Sequence, residues 1–376
     1  MAHIEFQSSF KNFNKKEWND LTRSNPFLRL EFFQSLEESN SIGEGTGWHP
    51  FPVIASHEGK LVGASPIFLK EHSYGEYVFD WSWAEAYQKY GESYYPKIVS
   101  CIPFTPANGP RVFGLDASIK KNIVSQIEAL AYKNKMSSSH ILFCDESEQN
   151  AYLDSKWMLR EGVQFKWFNK NYKNFEEFLS QLSHDKRKKI KQERKKIQDL
   201  GLKIKKIKGL EIAESDLDFF YACYCNTYQE HHSHPYLTRN FFSLIRESMP
   251  ENILLILAYE DDIPVAGSFF IYDDKNLYGR YWGSKSFYPG LHFELSYYQG
   301  QEFCIENEIA TFEGGAQGEH KLARGFEPFN TFSFHRIFDE KFEHAIKDFL
   351  RREKNGIDKY TNELNERVPY KSDFNL

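Results

Sequence analysis

Long apolar segments are absent from this chain of 376 residues. It contains no run of about 18 apolar residues, the length that a membrane-spanning helix requires. Its N-terminus, MAHIEFQSSF, also lacks the successive basic, apolar and small-residue regions of a secretory signal. These two absences predict a soluble, cytoplasmic protein without a transmembrane segment.

Cysteines are few and scattered. The five, Cys101, Cys144, Cys223, Cys225 and Cys304, include no Cys-x-x-Cys pair. An odd, unpaired set of this kind argues against a disulfide framework and predicts reduced thiols.

A metal site is not expected either. The only dense histidine group is His231, His232 and His234, and its spacing does not place all three side chains on one face of a helix. Pro235 ends the helical pattern, and no cysteine or acid completes a ligand set.

The length and composition point to two packed cores. A chain of this length is longer than most domains with a single hydrophobic core. Its content of 41% hydrophobic and 17% aromatic residues is sufficient for two hydrophobic cores. Asn25–Ser39, NPFLRLEFFQSLEES, aligns without gaps with His234–Ser248, HPYLTRNFFSLIRES, at six identities in fifteen positions. Such an internal match predicts a duplicated module.

The segments after these two helices repeat as well. A hairpin that turns at Glu58-Gly59 corresponds to one that turns at Asp261-Asp262, and matched residues follow in the same order: Ala55, Val62 and Ser65 in one, Ala258, Val265 and Ser268 in the other. An aromatic strand then follows each hairpin, as Trp81-Ser82-Trp83 and as Tyr281-Trp282-Gly283. We predict two tandem α/β modules, residues 1–170 and 202–376, joined by a basic helix in 171–201.

That helix carries a concentrated positive charge. From His184 to Lys208 there are twelve Lys or Arg residues against three acids, while Ile190 and Ile197 keep a narrow apolar seam. A solvated, salt-bridged helix is the plain interpretation, but three acids cannot pair twelve bases, so we favour contact with a polyanion. The candidate phosphate-binding residues are Arg187, Lys188, Lys191, Arg194 and Lys195.

The stretch Phe312–Phe329, FEGGAQGEHKLARGFEPF, is the strongest candidate site. A short strand runs into a glycine-rich turn, and Glu319, His320, Lys321 and Arg324 follow within six residues. A strand that ends in a turn carrying acid, imidazole and cations is typical of a functional site, although a solvated charged loop is the alternative. A second stretch, PFTPANGPR from Pro103 to Arg111, is stiffened by three prolines.

These motifs resemble a known family. The two long stretches, together with Tyr281-Trp282-Gly283 and Tyr297-Tyr298-Gln299-Gly300, look like the FemAB-like branch of the GNAT acyltransferase superfamily, and the likeness covers nearly the whole chain. The resemblance implies two GNAT-like modules, each a mixed, mostly antiparallel sheet flanked by helices. It also implies transfer of an acyl or aminoacyl group, in some relatives from aminoacyl-tRNA, to an amine of a peptidoglycan precursor that is small or lipid-linked.

One departure bears on the acyl donor. Acetyl-CoA-dependent GNAT enzymes hold the pyrophosphate on a glycine-rich loop before a helix, but Gly283–His292 reads GSKSFYPGLH. The donor is therefore expected to be aminoacyl-tRNA or, as the alternative, acetyl-CoA, with no permanently bound cofactor.

Acyl transfer to an amine needs a base, oxyanion donors and cations for a phosphorylated carrier. Glu319 and His320 are the first candidates for the base, and His292 and Glu294 are the alternatives. Lys321 and Arg324 are expected to bind substrate phosphate, and the other expected substrate contacts are Tyr281, Trp282, Trp81, Phe104, Asn108 and Arg111.

Two rival functions stay open at this stage. One is an ordinary acetyl-CoA-dependent N-acetyltransferase, and the other is a non-catalytic module that binds a cell-wall fragment or RNA. The sequence does not give the oligomeric state.

Overall fold

The computed structural model describes residues 2–22, 25–149, 152, 156–316 and 318–371. It divides into two compact units. The first consists of Met1–Gly162 and Asn330–Tyr360, and the second of Val163–Phe329 and Thr361–Leu376. The units are discontinuous in sequence, whereas the predicted modules are contiguous, and the module boundaries stay a prediction.

The helices of the described residues are numbered here in chain order. They are α1 (Lys15–Thr22), α2 (Leu30–Glu38), α3 (Trp81–Lys89), α4 (Ala117–Lys133), α5 (Phe175–Gln181), α6 (His184–Asp199), α7 (Glu214–Glu230), α8 (Arg239–Ser248), α9 (Leu291–Phe293), α10 (Gln299–Glu306) and α11 (Glu340–Glu366). None of them is long and apolar enough to cross a membrane.

The strands are numbered in the same way. They are β1 (His3–Phe6), β2 (Trp48–Pro50), β3 (Val53–His57), β4 (Lys60–Ser65), β5 (Ile67–Lys70), β6 (Lys97–Ser100), β7 (Phe113–Gly114), β8 (Ser138–Cys144), β9 (Met158–Phe168), β10 (Lys203–Lys208), β11 (Ile253–Glu260), β12 (Ile263–Tyr272), β13 (Asn276–Ser284), β14 (Thr311–Glu313) and β15 (Glu327–Ile337).

The first unit contains two groups of strands. One is antiparallel in the order β1-β3-β4-β7, and the other has the order β2-β5-β6-β8-β15, in which β6 and β8 run parallel. Pro66, which cannot donate a backbone hydrogen bond, separates β4 from β5. Val53, Ile67, Ile123 and Phe334 belong to the core that these strands share with α4.

The second unit has one sheet in the order β10-β11-β12-β13-β14-β9. All its pairs are antiparallel except β13 and β14, which run parallel and pair over three residues only, from Asn276 with Thr311 to Tyr278 with Glu313. β14 ends there, but β13 continues to Ser284, so the two strands part. Both units therefore have the predicted class of fold, with mostly antiparallel mixed sheets flanked by helices.

The repeated hairpins are confirmed in detail. β3 pairs with β4, and the register shifts between Ala55 and Ser56. β11 pairs with β12, and the register shifts between Ala258 and Tyr259. Ala55 and Ala258 are the residues that the internal alignment matches, so each hairpin carries an irregularity at the same place.

The aromatic segments do not repeat. Tyr281-Trp282-Gly283 lies in strand β13 as predicted, but Trp81 opens helix α3, so the prediction of a strand there is wrong. The helix forms because Trp83 and Tyr87 lie four residues apart and bury one face. The two tryptophans, Trp81 and Trp83, are two residues apart, a spacing typical of a strand. The four-residue spacing of Trp83 and Tyr87 is typical of a helix, and the segment is helical.

Gly283 explains part of the Tyr-Trp-Gly motif. A Cβ atom at this position would lie 2.3 Å from the carbonyl oxygen of Cys223 in helix α7. Helix α7 therefore approaches the backbone of β13 closely, and the Thr227 hydroxyl donates to the Trp282 carbonyl at 3.0 Å. Any larger residue would push this helix off the strand.

Arg111 has a different role from the predicted one. Its side chain is fully buried, and the guanidinium donates to the carbonyls of Ala107, Gly109, Pro110 and Leu142 at 2.5–3.1 Å. The arginine therefore fastens its own loop to β8.

The rest of that loop follows the same pattern. Phe104 is buried as well, and its ring lies 5.1 Å from that of Trp48. Neither Phe104 nor Arg111 lines an open cleft, and among the predicted residues of this loop only Asn108 is partly exposed.

Replacing Arg111 by Met should lower the free energy of unfolding by about 3 kcal/mol or more, because four carbonyls lose a charged donor in a buried site. The measurement is the urea unfolding midpoint. The matched control is Arg351→Met, since that arginine is 75% exposed. Equal midpoints for the two variants would contradict the assigned role.

Candidate functional site

A pocket lies on β13 near the point where this strand separates from β14. It has a volume of about 90 Å³, enough for the reacting end of a substrate. The lining residues come from β12, β13, the helix that follows β13, and the turn after β14. They are Ser268, Phe269, Phe270, Gly279, Arg280, Tyr281, Trp282, His292, Ser296, Tyr297 and Gly314.

A bulge directs Arg280 into this pocket. Phe269 pairs with Tyr281 and Phe270 pairs with Gly279, so Arg280 is an extra residue in β13. Bulges of this kind re-aim a side chain. The Arg280 guanidinium lies 4.9 Å from the centre of the Tyr281 ring. Sequence reasoning missed Arg280, because a bulge leaves no residue pattern that distinguishes it from ordinary strand alternation.

The helix after β13 is irregular at the pocket. Three α-helical residues, Leu291–Phe293, are followed by a π-helical turn, Glu294–Tyr298, before α10 begins. π-turns are rare and are frequently found at functional sites. Here the turn contributes Ser296 and Tyr297 to the pocket lining, and the Ser296 hydroxyl is hydrogen-bonded to that of Ser268 at 2.9 Å.

His292 and His320 both lie in this region, as predicted. Burial lowers the pKa of His292 to about 4, with further lowering from His320, Arg324 and Lys321. The pKa of His320 is also lowered, mainly by burial and then by Lys321 and Arg324. Both imidazoles are therefore neutral at pH 7.

A tyrosine connects the pocket with His320. The hydroxyl of Tyr297, which lines the pocket, lies 2.9 Å from Nε2 of His320. Burial raises the pKa of Tyr297 above its usual range, so the hydroxyl keeps its proton and can donate it to the neutral imidazole.

Lys321 lies next to the pocket behind Gly314. Its side chain is 2% exposed, and Nζ donates to the Gly315 carbonyl at 2.8 Å. A Cβ atom on Gly314 would lie 3.2 Å from the Lys321 side chain, so the lysine lies directly behind a residue of the lining. Burial lowers the pKa of Lys321 to about 7. The prediction singled out this residue but expected an accessible phosphate ligand.

Arg324 is part of a buried ion pair. Its Nη2 atom lies 3.0 Å from both carboxylate oxygens of Glu193 in helix α6, and its guanidinium stacks 3.4 Å from the centre of the Phe293 ring. Glu193 also accepts the hydroxyl of Tyr298. Both terminal nitrogens are engaged, Nη2 with Glu193 and Nη1 with the His320 carbonyl at 2.7 Å, so the predicted grip of Arg324 on substrate phosphate is not favoured. Glu193 was missed because it lies far away in sequence, inside the basic block.

Glu294 is engaged in the same manner. It is buried and forms an ion pair with Arg194 at 2.9 Å, and Arg194 also pairs with Glu302 at 2.6 Å. Glu294 therefore holds helix α6 rather than facing a substrate. Arg194 points inward over Phe175, 4.6 Å from its ring centre, which removes it from the predicted phosphate-binding face.

Glu319 is exposed and lies away from the pocket lining. Its carboxylate pairs with Arg367 at 2.7 Å, and its side chain is 42% exposed. This geometry does not favour the predicted role as the base.

The other cations of helix α6 remain on the surface. Lys188 and Lys195 are exposed and Arg187 is partly exposed, whereas Ile190 and Ile197 are buried as the predicted seam. Lys191 is exposed but pairs with Glu176 at 2.5 Å. Among the residues that the structure describes, no group of three or more His, Cys, Asp or Glu side chains could hold a metal ion.

The second unit thus combines a mixed, mostly antiparallel sheet that opens at a parallel strand pair with a pocket beside that opening. Residues 9–372 match the FemAB-like family, whose description is peptidoglycan biosynthesis/recognition. The chain belongs to that family. This confirms the resemblance predicted from the motifs.

Two solved structures share the fold, and a third aligns less well. The crystal structure of FemX aligns at 12% identity and a TM-score of 0.56, covering 91% of this chain and all of the other. The C-terminal domain (DUF2156) of a lysylphosphatidylglycerol synthetase candidate from Agrobacterium fabrum aligns at 10% identity and a TM-score of 0.53, covering 89% of this chain and 94% of that one. A tandem GNAT protein from the clavulanic acid pathway aligns at 9% identity and a TM-score of 0.47, covering 89% and 98%. The curated proteins contain no match.

The ring of His292 should titrate near pH 4 rather than near its ordinary value of 6.5. Between these values the unfolded state holds more protons than the folded state, so His292 makes stability fall as the pH drops from about 6.5 to 4. NMR titration of the imidazole signals, assigned with a His292→Gln variant, measures the midpoint. A midpoint near 6.5 would show that the ring is solvated.

Proposed function

We propose that this protein transfers an aminoacyl group from aminoacyl-tRNA to an amine of a peptidoglycan precursor, and that the transfer takes place in the β13 pocket. The observation that carries the proposal is the arrangement around this pocket in a FemAB-like chain. Arg280, His292 and Tyr297 line it, and the buried Lys321 lies directly behind Gly314.

The pocket offers a path for the proton that the attacking amine must lose. Tyr297 lines the pocket and its hydroxyl contacts His320, which is neutral and can accept a proton. In the proposed step the amine nitrogen forms a bond to the acyl carbon and its proton passes by way of Tyr297 to His320. His292 has a pKa of about 4, so it is a weaker base at neutral pH.

Lys321 supplies the positive charge that the reaction needs. The acyl oxygen becomes negative in the tetrahedral intermediate, and a nearby ammonium in a water-poor site stabilises such a charge strongly. Since burial brings the pKa of Lys321 to about 7, the side chain can also return a proton to the leaving oxygen of the carrier. Arg280, a residue of the lining, is the proposed contact for a carboxylate or phosphate of substrate.

Two observations favour a tRNA carrier over acetyl-CoA. Helix α6 of the same unit presents exposed lysines, among them Lys188 and Lys195. The segment after β13 leads into Leu291–Phe293, a helix of three residues that continues as a π-turn. A pyrophosphate is usually held by a glycine-rich loop at a helix N-terminus, whereas the loop before this helix reads GSKSFYPG at Gly283–Gly290.

Lys321→Met keeps the length of the side chain and removes the charge. We expect transfer to slow by roughly a hundredfold or more, with the loss in kcat rather than KM. The matched control is Glu319→Gln, which changes an exposed residue of the same turn and should retain activity. The measurement is transfer of a labelled amino acid to a cell-wall precursor. Full activity of a folded Lys321→Met variant would rule out the proposed site.

The carrier is tested through helix α6. Reversal of four exposed lysines to Glu should weaken tRNA binding about tenfold or more and reduce its salt dependence. These are Lys188, Lys189, Lys191 and Lys195. The control reverses four exposed lysines of the first unit, Lys121, Lys133, Lys347 and Lys359, so that the net charge changes equally.

Thermal protection by each donor completes this test. Aminoacyl-tRNA should raise the melting temperature of the unaltered protein, and acetyl-CoA should not. If both sets of substitutions weakened tRNA binding equally, the binding would depend on the net charge of the protein and not on a contact with helix α6. Protection by acetyl-CoA alone would favour the N-acetyltransferase instead.

A further inference from the structure

The first unit contains a cavity that the proposed transfer does not use. It has a volume of about 380 Å³, within the range of small-molecule sites. Helix α3 forms one wall with Trp81, Ala84, Glu85 and Gln88. Their spacing of three, four and seven residues from Trp81 places them on one helix face, while Trp83 and Tyr87 occupy the buried face.

Two tyrosines complete the aromatic lining, and both are held in place by hydrogen bonds. Tyr94 and Tyr95 belong to the segment between α3 and β6. The Tyr94 hydroxyl donates to Asp80 at 2.6 Å, and the Tyr95 hydroxyl is bonded to Ser73 at 2.8 Å. The rings are therefore fixed in orientation before any ligand arrives, which lowers the entropic cost of binding.

A buried lysine organises these hydrogen bonds. Lys97 is fully buried, and its ammonium contacts Asp80 at 2.5 Å, Glu76 at 2.8 Å and Ser73 at 2.8 Å. It thus contacts both groups, Asp80 and Ser73, to which the two tyrosines are bonded. The lysine itself is neutralised by the two carboxylates and does not line the cavity.

The lining has one sign of charge. Glu85 and Glu92 are its charged members, and no basic residue occurs among the described residues that line the cavity. Trp81 adds an aromatic ring whose face attracts cations, whereas the rings of Tyr94 and Tyr95 already have the Lys97 ammonium at 5.3 and 5.7 Å from their centres and supply apolar surface. The two carboxylates repel an anionic ligand. Toward a neutral ligand they can only accept hydrogen bonds, and the Gln88 amide is the member of the lining that can also donate one. The two carboxylates and the Trp81 ring are the members of the lining that favour a positive charge.

We propose that this cavity is a binding site for an organic ammonium group, primary or quaternary, whose charge contacts Glu85 and Glu92 and whose carbon atoms pack on Trp81, Tyr94 and Tyr95. The site is independent of the proposed transfer reaction, because it needs neither an acyl donor nor the β13 pocket. It also assigns a ligand chemistry to Trp81, which the sequence marked only as a substrate contact.

The test is calorimetric titration of the full-length protein at low salt with two ammonium probes and their neutral counterparts. Choline is paired with 3,3-dimethyl-1-butanol, and cadaverine with 1,5-pentanediol. We expect the ammonium probes to bind with a Kd on the order of 1 mM and the neutral compounds at least about tenfold more weakly. Stronger binding of choline or of cadaverine identifies the quaternary or the primary class.

Variants localise the binding. The double substitution Glu85→Gln and Glu92→Gln changes two exposed side chains and should weaken the ammonium probe about tenfold, with melting temperature unchanged. Trp81→Leu should weaken it similarly. The control Glu44→Gln removes an exposed acid of the same unit outside the cavity and should have no effect.

Three outcomes would overturn the proposal. They are the absence of ammonium binding at concentrations well above 1 mM, equal binding of the neutral compounds, and equal losses in the Glu44→Gln control. Since no acyl transfer is measured, failure here leaves the proposed transferase untouched, and failure of that reaction leaves this site untouched.

Discussion

The ion pair between Glu193 and Arg324 holds the second unit together around its pocket. It connects helix α6 with the short helical turn after β14, at 3.0 Å, and Phe293 of the helix after β13 stacks on the same guanidinium. Three segments that are distant in sequence thus converge on one planar cation. Burying such a pair costs desolvation energy, and the Tyr298 hydroxyl, which donates to the Glu193 carboxylate, offsets part of that cost.

This arrangement explains why so many charged residues of the candidate stretch are structural. Arg324 and Glu294 are both used to hold helix α6, through Glu193 and Arg194 respectively. The residues left for the proposed chemistry are Arg280, His292 and Tyr297 in the lining, Lys321 behind it, and His320 beside Tyr297. The ion pairs of Arg324 and Glu294 connect the elements around these residues to helix α6.

The first unit uses a buried charge in a comparable way. Lys97 is enclosed by Glu76 and Asp80. Burial raises the pKa of Glu76 to about 7, whereas for Asp80 the effect of burial is outweighed by Lys97, which holds the pKa below its usual range. The cluster costs desolvation energy. The cluster in turn fixes the orientation of two tyrosines in the cavity wall, Tyr94 through Asp80 and Tyr95 through Ser73.

The sequence allowed the family, the class of fold, both hairpins and the apolar seam of helix α6 to be predicted, because these depend on periodicity, turn residues and motifs that lie close together in the chain. It also pointed to His292, His320 and Lys321. It did not separate Lys321 from Arg324, three residues away, since the two are equally buried and the ion pair of Arg324 with the distant Glu193 decides their different roles. Arg280 was not predicted for a related reason. The register of strand β13, and not the local composition, places it in the pocket.

The two halves kept their hairpins and diverged after them. Pro66 interrupts the strand that corresponds to β12, and the next aromatic segment forms helix α3 instead of a strand. A strand that leaves its parallel neighbour creates the β13 pocket, which contains Arg280. A helix with one exposed face creates the cavity of the first unit, which contains Glu85 and Glu92. The two pockets therefore differ both in the secondary structure that forms them and in the sign of the charge in their lining, which is Arg280 in one and Glu85 with Glu92 in the other.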